Sequence, residues 1–322
     1  MKYLFSFLSL FLPTIASAHV GYVVPQDKFY QSLGQDFPFA FDAIFHGENW
    51  ILMGSTVATL LILLFLSHKS YFIQSHIDRM TTHLRSYYEY IPWILRLSLG
   101  IALMGAGAKE VLISPVLSTT ALGAVELFVG FMILAGFLLL PATIFSIALF
   151  FKAISLDFYI VGNLDYFVIA ISLLILQSAR PGIDDILGLP RFNFERLSPY
   201  VPFVLRVGMG FALIFLALFE KFLNPHLSEQ VVSIYNLTSV INVSATMWIF
   251  SAGIIELVVG TCLLLGFHTR LVSVIAFLVI TTTFFYFKED VFSHITLFGT
   301  LSVLFITGGG RLSLDRLWYK NS

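Results

Sequence analysis

Long apolar runs dominate this chain and leave it little choice of fold. They fall at roughly 49–67, 91–108, 121–140, 141–157, 164–179, 201–219, 246–266, 270–287 and 293–308. Each is long enough, or nearly so, to cross about 30 Å of hydrocarbon as a helix. In lipid every backbone polar group must be satisfied internally, which a helix achieves within one segment. The expectation is an all-α, polytopic membrane protein of about nine transmembrane helices. Composition agrees: 11% of the 322 residues are charged and the mean hydropathy is +0.89. A soluble domain carries about 25% charged residues, so most of the outer surface should face the lipid bilayer. A net charge of -1 argues against nucleic acid as a partner, because phosphate binding needs a basic surface. Cys262 is the single cysteine. An intramolecular disulfide and a dithiol centre within the chain are therefore excluded.

The first residues read as a secretory signal over 1–18. Lys2 gives a positive start, Leu4 to Leu12 an apolar core and Ala16-Ser17-Ala18 a cleavage site. Cleavage there would leave His19 first. With residues 19–48 as an outer N-terminal segment, the inner loops hold Lys69, Arg79, Arg85, Arg180, Arg191, Arg196, Arg270, Arg311, Arg316 and Lys320. The outer segments hold Lys28, Lys109, Lys221 and Lys288. This bias obeys the positive-inside rule. It places a multi-pass protein in the plasma (inner) membrane, with the mature N-terminus outside and the C-terminus cytosolic. Within 49–90, an extra span is followed by an amphipathic helix at 71–90, where Ile73, Ile77, Met80, Leu84 and Tyr88 recur at helical spacing. Pro141 is read as the tight turn between the third and fourth spans.

The rest of the chain repeats. Pro92, Leu95, Arg96, Gly100, Ala102, Leu103 and Glu110 match Pro202, Leu205, Arg206, Gly210, Ala212, Leu213 and Glu220 at an offset of 110. Glu126-Leu127, Val129-Gly130, Leu134 and Gly136-Phe137 match Glu256-Leu257, Val259-Gly260, Leu264 and Gly266-Phe267 at an offset of 130. The extra residues of the second copy fall between Lys221 and Met247. Four spans per copy is an even number, so both copies point the same way. The expected architecture is two parallel four-helix bundles plus one extra N-terminal span. Module one covers 91–185, a cytosolic linker 186–200, module two 201–315 and a cytosolic tail 316–322.

These motifs resemble the DoxX/DoxD-like integral membrane proteins. The likeness lies in Arg96/Gly100 and Arg206/Gly210, in Lys109-Glu110 and Glu220-Lys221, and in Glu126/Gly130 and Glu256/Gly260. It ends in the run Gly309-Gly310-Arg311-Leu312-Ser313-Leu314-Asp315. The first copy departs there, with Arg180-Pro181-Gly182-Ile183-Asp184. The resemblance implies a four-helix membrane bundle. In some members it implies a subunit of a quinone-linked oxidoreductase, with quinone as cofactor and a redox partner subunit. The tandem copy departs from the usual single module.

Charged groups in a bilayer need partners. Arg96 is expected to pair with Asp184 or Asp185, and Arg206 with Asp315, as structural clamps. On the outer side Lys109, Glu110, Glu126 and Asp165 form one expected cluster. Glu220, Lys221, Glu256 and His294 form the other. As a candidate proton or quinone-headgroup site, the emphasis falls on Glu126, Glu256, Lys109, Lys221 and His294. No metal site is expected, and no histidine lies deep in a span, which argues against a bis-histidine haem. An amino-terminal His19 would offer copper an amine and an imidazole, though no spacing pattern supports it. A small-solute transporter and a non-catalytic scaffold or assembly factor stand as alternatives. Whether the chain is an enzyme is left open by its residues.

Overall fold

The computed structural model describes residues 19–45, 47–69, 82–177, 181–190, 194, 196–240 and 242–319. The expected signal at 1–18, most of the amphipathic helix at 71–90, Arg180 and residues 320–322 lie outside the described residues.

Short helices come first: α1 (Val20–Val23), α2 (Gln26–Gln31) and α3 (Phe37–Phe45). They lead into α4 (Gly47–Lys69). A 3₁₀ turn (Arg85–Tyr90) opens α5 (Ile91–Ala108). A small antiparallel hairpin follows, β1 (Val111–Leu112) and β2 (Ser114–Ser118). Next come α6 (Thr120–Ala135), α7 (Leu139–Leu156), a 3₁₀ turn (Phe158–Asn163), α8 (Leu164–Leu176) and α9 (Ile183–Ile186). The later part holds α10 (Val201–Leu216), a π-helical turn (Ala217–Leu223), α11 (Pro225–Ile234) and α12 (Leu237–Val240). It closes with α13 (Ala245–Leu265), α14 (Thr269–Phe287), α15 (Val291–Thr307) and α16 (Leu314–Tyr319).

The chain is an all-α polytopic membrane protein. Among the described residues six helices are long and apolar enough to cross a bilayer: Thr82–Ala108, Leu139–Leu156, Phe158–Leu176, Ser198–Leu223, Ala245–Leu265 and Thr269–Phe287. The shorter apolar helices Thr120–Ala135 and Val291–Thr307, with the 23-residue α4, stand where the other three runs were expected. Phe128, Phe131, Phe145, Phe151, Phe211, Leu278 and Phe285 face outward. Apolar surface on that scale is a liability in water and matches hydrocarbon.

Packing follows the offsets read in the sequence. α5 packs on α6 as α10 packs on α13; α6 on α7 as α13 on α14; α7 on α8 as α14 on α15. The glycines show why. A Cβ on Gly100 would sit 2.9 Å from Leu134 Cβ and 3.0 Å from the Gly130 carbonyl. A Cβ on Gly210 would meet the Gly260 carbonyl at 2.7 Å and the Leu264 amide at 2.8 Å. Both helix pairs approach backbone to backbone, as small residues allow in membranes. α6 and α13 then end identically. Gly136 and Gly266 take positive φ (61° and 68°). Phe137 and Phe267 donate back to Met132 and Cys262 at 2.9 and 2.8 Å, the Schellman pattern.

Pro141 is not the turn. The chain reverses at 136–138, and Pro141 lies inside the first turn of α7, where a missing N–H costs nothing. At the centre, α5 packs on α15, α8 on α10 and α8 on α15. The first and last helices of each repeat thus share one seam.

Candidate functional site

At the end of the bundle where the repeats open, each arginine captures carbonyls. Arg96 donates to Ile133 at 3.1 Å and to Leu134 and Pro181 at 2.8 Å each. Arg206 donates to Gly309 (3.0 Å), Leu263 (3.3 Å), Leu264 and Leu312. These are largely the orphan carbonyls that a helix C-terminus leaves unpaired. Asp315 accepts from the His268 amide at 2.6 Å and from the Thr269 amide and hydroxyl at 2.9 Å. Asp184 does the same for Leu138 (2.7 Å) and Leu139 (2.9 Å). In the second copy, arginine and aspartate are therefore joined through the turn backbone rather than by the expected direct ion pair. Of the two candidates, Asp184 is the structural counterpart of Asp315. Its amide bonds the Gly136 carbonyl as that of Asp315 bonds Gly266.

The opposite end is asymmetric. Lys109 and Glu110 leave the bundle: Lys109 pairs with Asp290 at 3.1 Å on the exposed surface, and Glu110 accepts from Thr120 at 3.3 Å. Their expected place beside Glu126 and Asp165 is not taken. The reason is local. α5 stops at Ala108 and Glu110 turns to positive φ. The matching helix instead continues through the π-helical turn and keeps Glu220 and Lys221 inside. The short side chain-to-side chain contact of Lys221 with Glu220 extends to Glu256 at 3.2 Å. Tyr159 hydroxyl bonds Glu220 in turn. A chain Tyr159–Glu220–Lys221–Glu256 thus runs from the seam to the flank, where the Glu256 side chain is 12% exposed. Glu126 is wholly buried; one oxygen accepts from the Ile113 amide at 3.1 Å and the other has no partner.

Residues 19–24 close over this cluster. The Val20 amide donates to Glu220 at 3.1 Å and the Gly21 amide to Tyr159 hydroxyl at 3.0 Å. Tyr22 hydroxyl accepts from Asn163 at 2.9 Å and donates to the Ile113 carbonyl at 3.3 Å. The Tyr22 ring lies between His19, His294 and Phe292, with centroids at 5.6, 6.4 and 6.1 Å. His294 Nδ1 meets Ser293 Oγ at 2.8 Å and Glu289 at 3.4 Å. Asp165 is buried beside them, with one oxygen unpartnered. Burial holds the His19 imidazole down to about 3, with Lys221 a smaller cause. Burial also pushes the Glu289 carboxyl up to about 8.

The seam therefore gathers Glu220, Lys221, Asp165 and His294 from the expected residues, reaches Glu256 on the flank, sets Glu126 beside the hairpin and expels Lys109 and Glu110. Sequence reasoning missed Tyr159, Tyr22, Asn163 and Glu289. Glu289 sits in a Lys-Glu-Asp triplet between two spans, which reads as a solvated loop. Tyr159 and Asn163 carried a faint signal, two polar groups four residues apart just before Asp165. Comparison with protein families, curated proteins and solved structures returns no match.

Proposed function

We propose that this chain is the membrane subunit of a quinone-linked redox system, binding a quinone headgroup where Glu256 meets the lipid face. The proposal carries the finer architecture with it: nine spans, two parallel copies of a DoxX-like module with one extra span, and the outer end of the bundle at the periplasmic side of the inner membrane. The observation that supports it is the chain Tyr159–Glu220–Lys221–Glu256, a hydrogen bond followed by two ion pairs. Quinol oxidation releases protons, so a headgroup site needs a base at the lipid boundary and a relay behind it. Glu256 is the partly exposed member, Lys221 balances its charge, and Glu220 and Tyr159 lie behind. The described residues offer no ready cage of three metal-binding side chains. The electrons are assigned to a partner subunit that carries the redox centre.

Titrating the purified protein with a quinol analogue tests this. Saturable binding is expected, weakened at least tenfold by Glu256→Gln and little changed by Glu110→Gln on the exposed turn. Absence of saturable binding would remove the proposal. Uptake of a solute into proteoliposomes that depended on Glu256 would favour a transporter instead. The buried polar groups named above cluster at the two ends of the helices, which counts against a continuous path.

A further inference from the structure

Between α14 and α15 the chain turns in three charged residues, Lys288, Glu289 and Asp290. Lys288 takes a positive φ of 54°, a conformation that a residue with a Cβ keeps only where its surroundings hold it. Asp290 reaches outward to Lys109 of the first repeat at 3.1 Å, with both side chains 58% exposed. Glu289 points the other way. Its side chain is 1% exposed and lies against that of His294, which is 2% exposed. Of two adjacent carboxyl groups, one faces water and the other is enclosed.

Little inside the turn suits a carboxylate. Both oxygens of Glu289 are buried without a hydrogen-bond partner among the described residues. His294 Nδ1 stands 3.4 Å away, and its hydrogen is already engaged. The Ser293 hydroxyl donates to the Asp290 carbonyl at 2.6 Å, so towards His294 it accepts, from Nδ1–H at 2.8 Å. The other titratable groups about Glu289 are Tyr22 and Tyr235, with His19 and Asp165 next to Tyr22. Among the described residues no lysine or arginine pairs with it. An ionised carboxylate enclosed without donors is costly, whereas the neutral acid is tolerated. Burial accordingly pushes the Glu289 carboxyl up to about 8 from an ordinary value of 4.5. A carboxyl raised in this way favours the closed form fully below its ordinary value and loses that advantage as pH rises through the raised one.

We infer that residues 288–290 are a proton-operated latch between the repeats, closed while Glu289 keeps its proton and open once its carboxyl ionises and swings out to water. Lys288 is the hinge and the Lys109–Asp290 pair the outer clasp. The latch also touches the N-terminal segment, because the Tyr235 ring packs on Phe287 at 4.5 Å and its hydroxyl donates to the Val23 carbonyl at 3.5 Å. It stands apart from the Glu256 headgroup site and does not depend on it.

A nitroxide on Val291→Cys, an exposed position beside the turn, tests this in the full chain with Cys262→Ala as background. Its electron paramagnetic resonance spectrum is followed from about pH 4 to about pH 9. The label should be immobile at the acid end and gain mobility between 4.5 and about 8. Glu289→Gln, which imitates the neutral acid, should keep it immobile throughout. Lys109→Gln removes the clasp and should move the gain to lower pH. At the alkaline end Glu289→Gln should unfold at a higher temperature than the parent, which separates a locked turn from a damaged one. No gain in the parent, or a gain that persists in Glu289→Gln, would overturn the inference. So would a Glu289→Gln variant that is mobile at the acid end or less stable than the parent at the alkaline end, since Glu289 would then act as an ionised partner of His294.

Discussion

Glu220 and Lys221 are neighbours in sequence and partners in space, which is possible because the π-helical turn directs both side chains inward. Each is almost fully buried, so neither is paid for by water. Removing one half of a buried pair costs about 3–5 kcal/mol when the other charge is stranded. Lys221 loses both carboxylate partners in the double variant Glu220→Gln/Glu256→Gln, which should lower stability by that order in thermal unfolding in detergent. Adding Lys221→Met should recover more than half of the loss. No recovery in the triple variant would mean that the lysine does not depend on the two carboxylates. Glu110, the counterpart of Glu220 in the repeat, is exposed and its side chain accepts from Thr120 at 3.3 Å, so Glu110→Gln should change stability by less than about 0.5 kcal/mol.

Between helices, two kinds of glycine behave differently. Gly208 on α10 faces Val168 on α8, and an added Cβ would lie 2.1 Å from Val168 Cγ1. Gly210, two residues on, faces the backbone of α13 at 2.7–2.8 Å. Overpacking of this kind costs about 1–3 kcal/mol. Gly208→Ala should lose stability and Val168→Ala should restore most of it, because a side chain can be trimmed. Gly210→Ala should lose stability with no rescue from substitutions on α13, because the clash is with main chain. Unfolding curves of the three variants decide this, and a neutral Gly210→Ala would disprove the close approach. The repeat signal in the sequence pointed to Gly100, Gly130, Gly210 and Gly260. It could not point to Gly208, whose contact partner belongs to the other copy and has no offset to reveal it.

Across the whole molecule, the proposed orientation turns on which loops share a side. With Cys262→Ala as background, Lys28→Cys and Arg196→Cys place single thiols at exposed positions of the N-terminal segment and the inter-repeat linker. An impermeant maleimide should label Lys28→Cys in intact spheroplasts. It should label Arg196→Cys only after lysis. Labelling of both from outside would break the odd number of spans assigned between them, and the reverse pattern would invert the protein. The central seam gives this scale its consequence: helices from both repeats meet there, and the N-terminal segment bonds their ends together.

The order of residues by itself determined the membrane class, the approximate helices and the doubled pattern, because hydropathy and recurring Arg, Glu and Gly are properties of the chain read in line. It also named Arg96, Arg206, Glu126, Glu256 and His294 as buried candidates, since a charge within an apolar run has few other places to go. Only the tertiary structure decided that the two copies differ at one end. A helix that stops at Ala108 sends Lys109 and Glu110 to water, while one that runs on through a π turn holds Glu220 and Lys221 inside. Only folding could bring the Val20 amide to Glu220, a contact across 200 positions. Hydrogen bonds between segments so far apart depend on how helices close upon one another, and no local pattern carries that information.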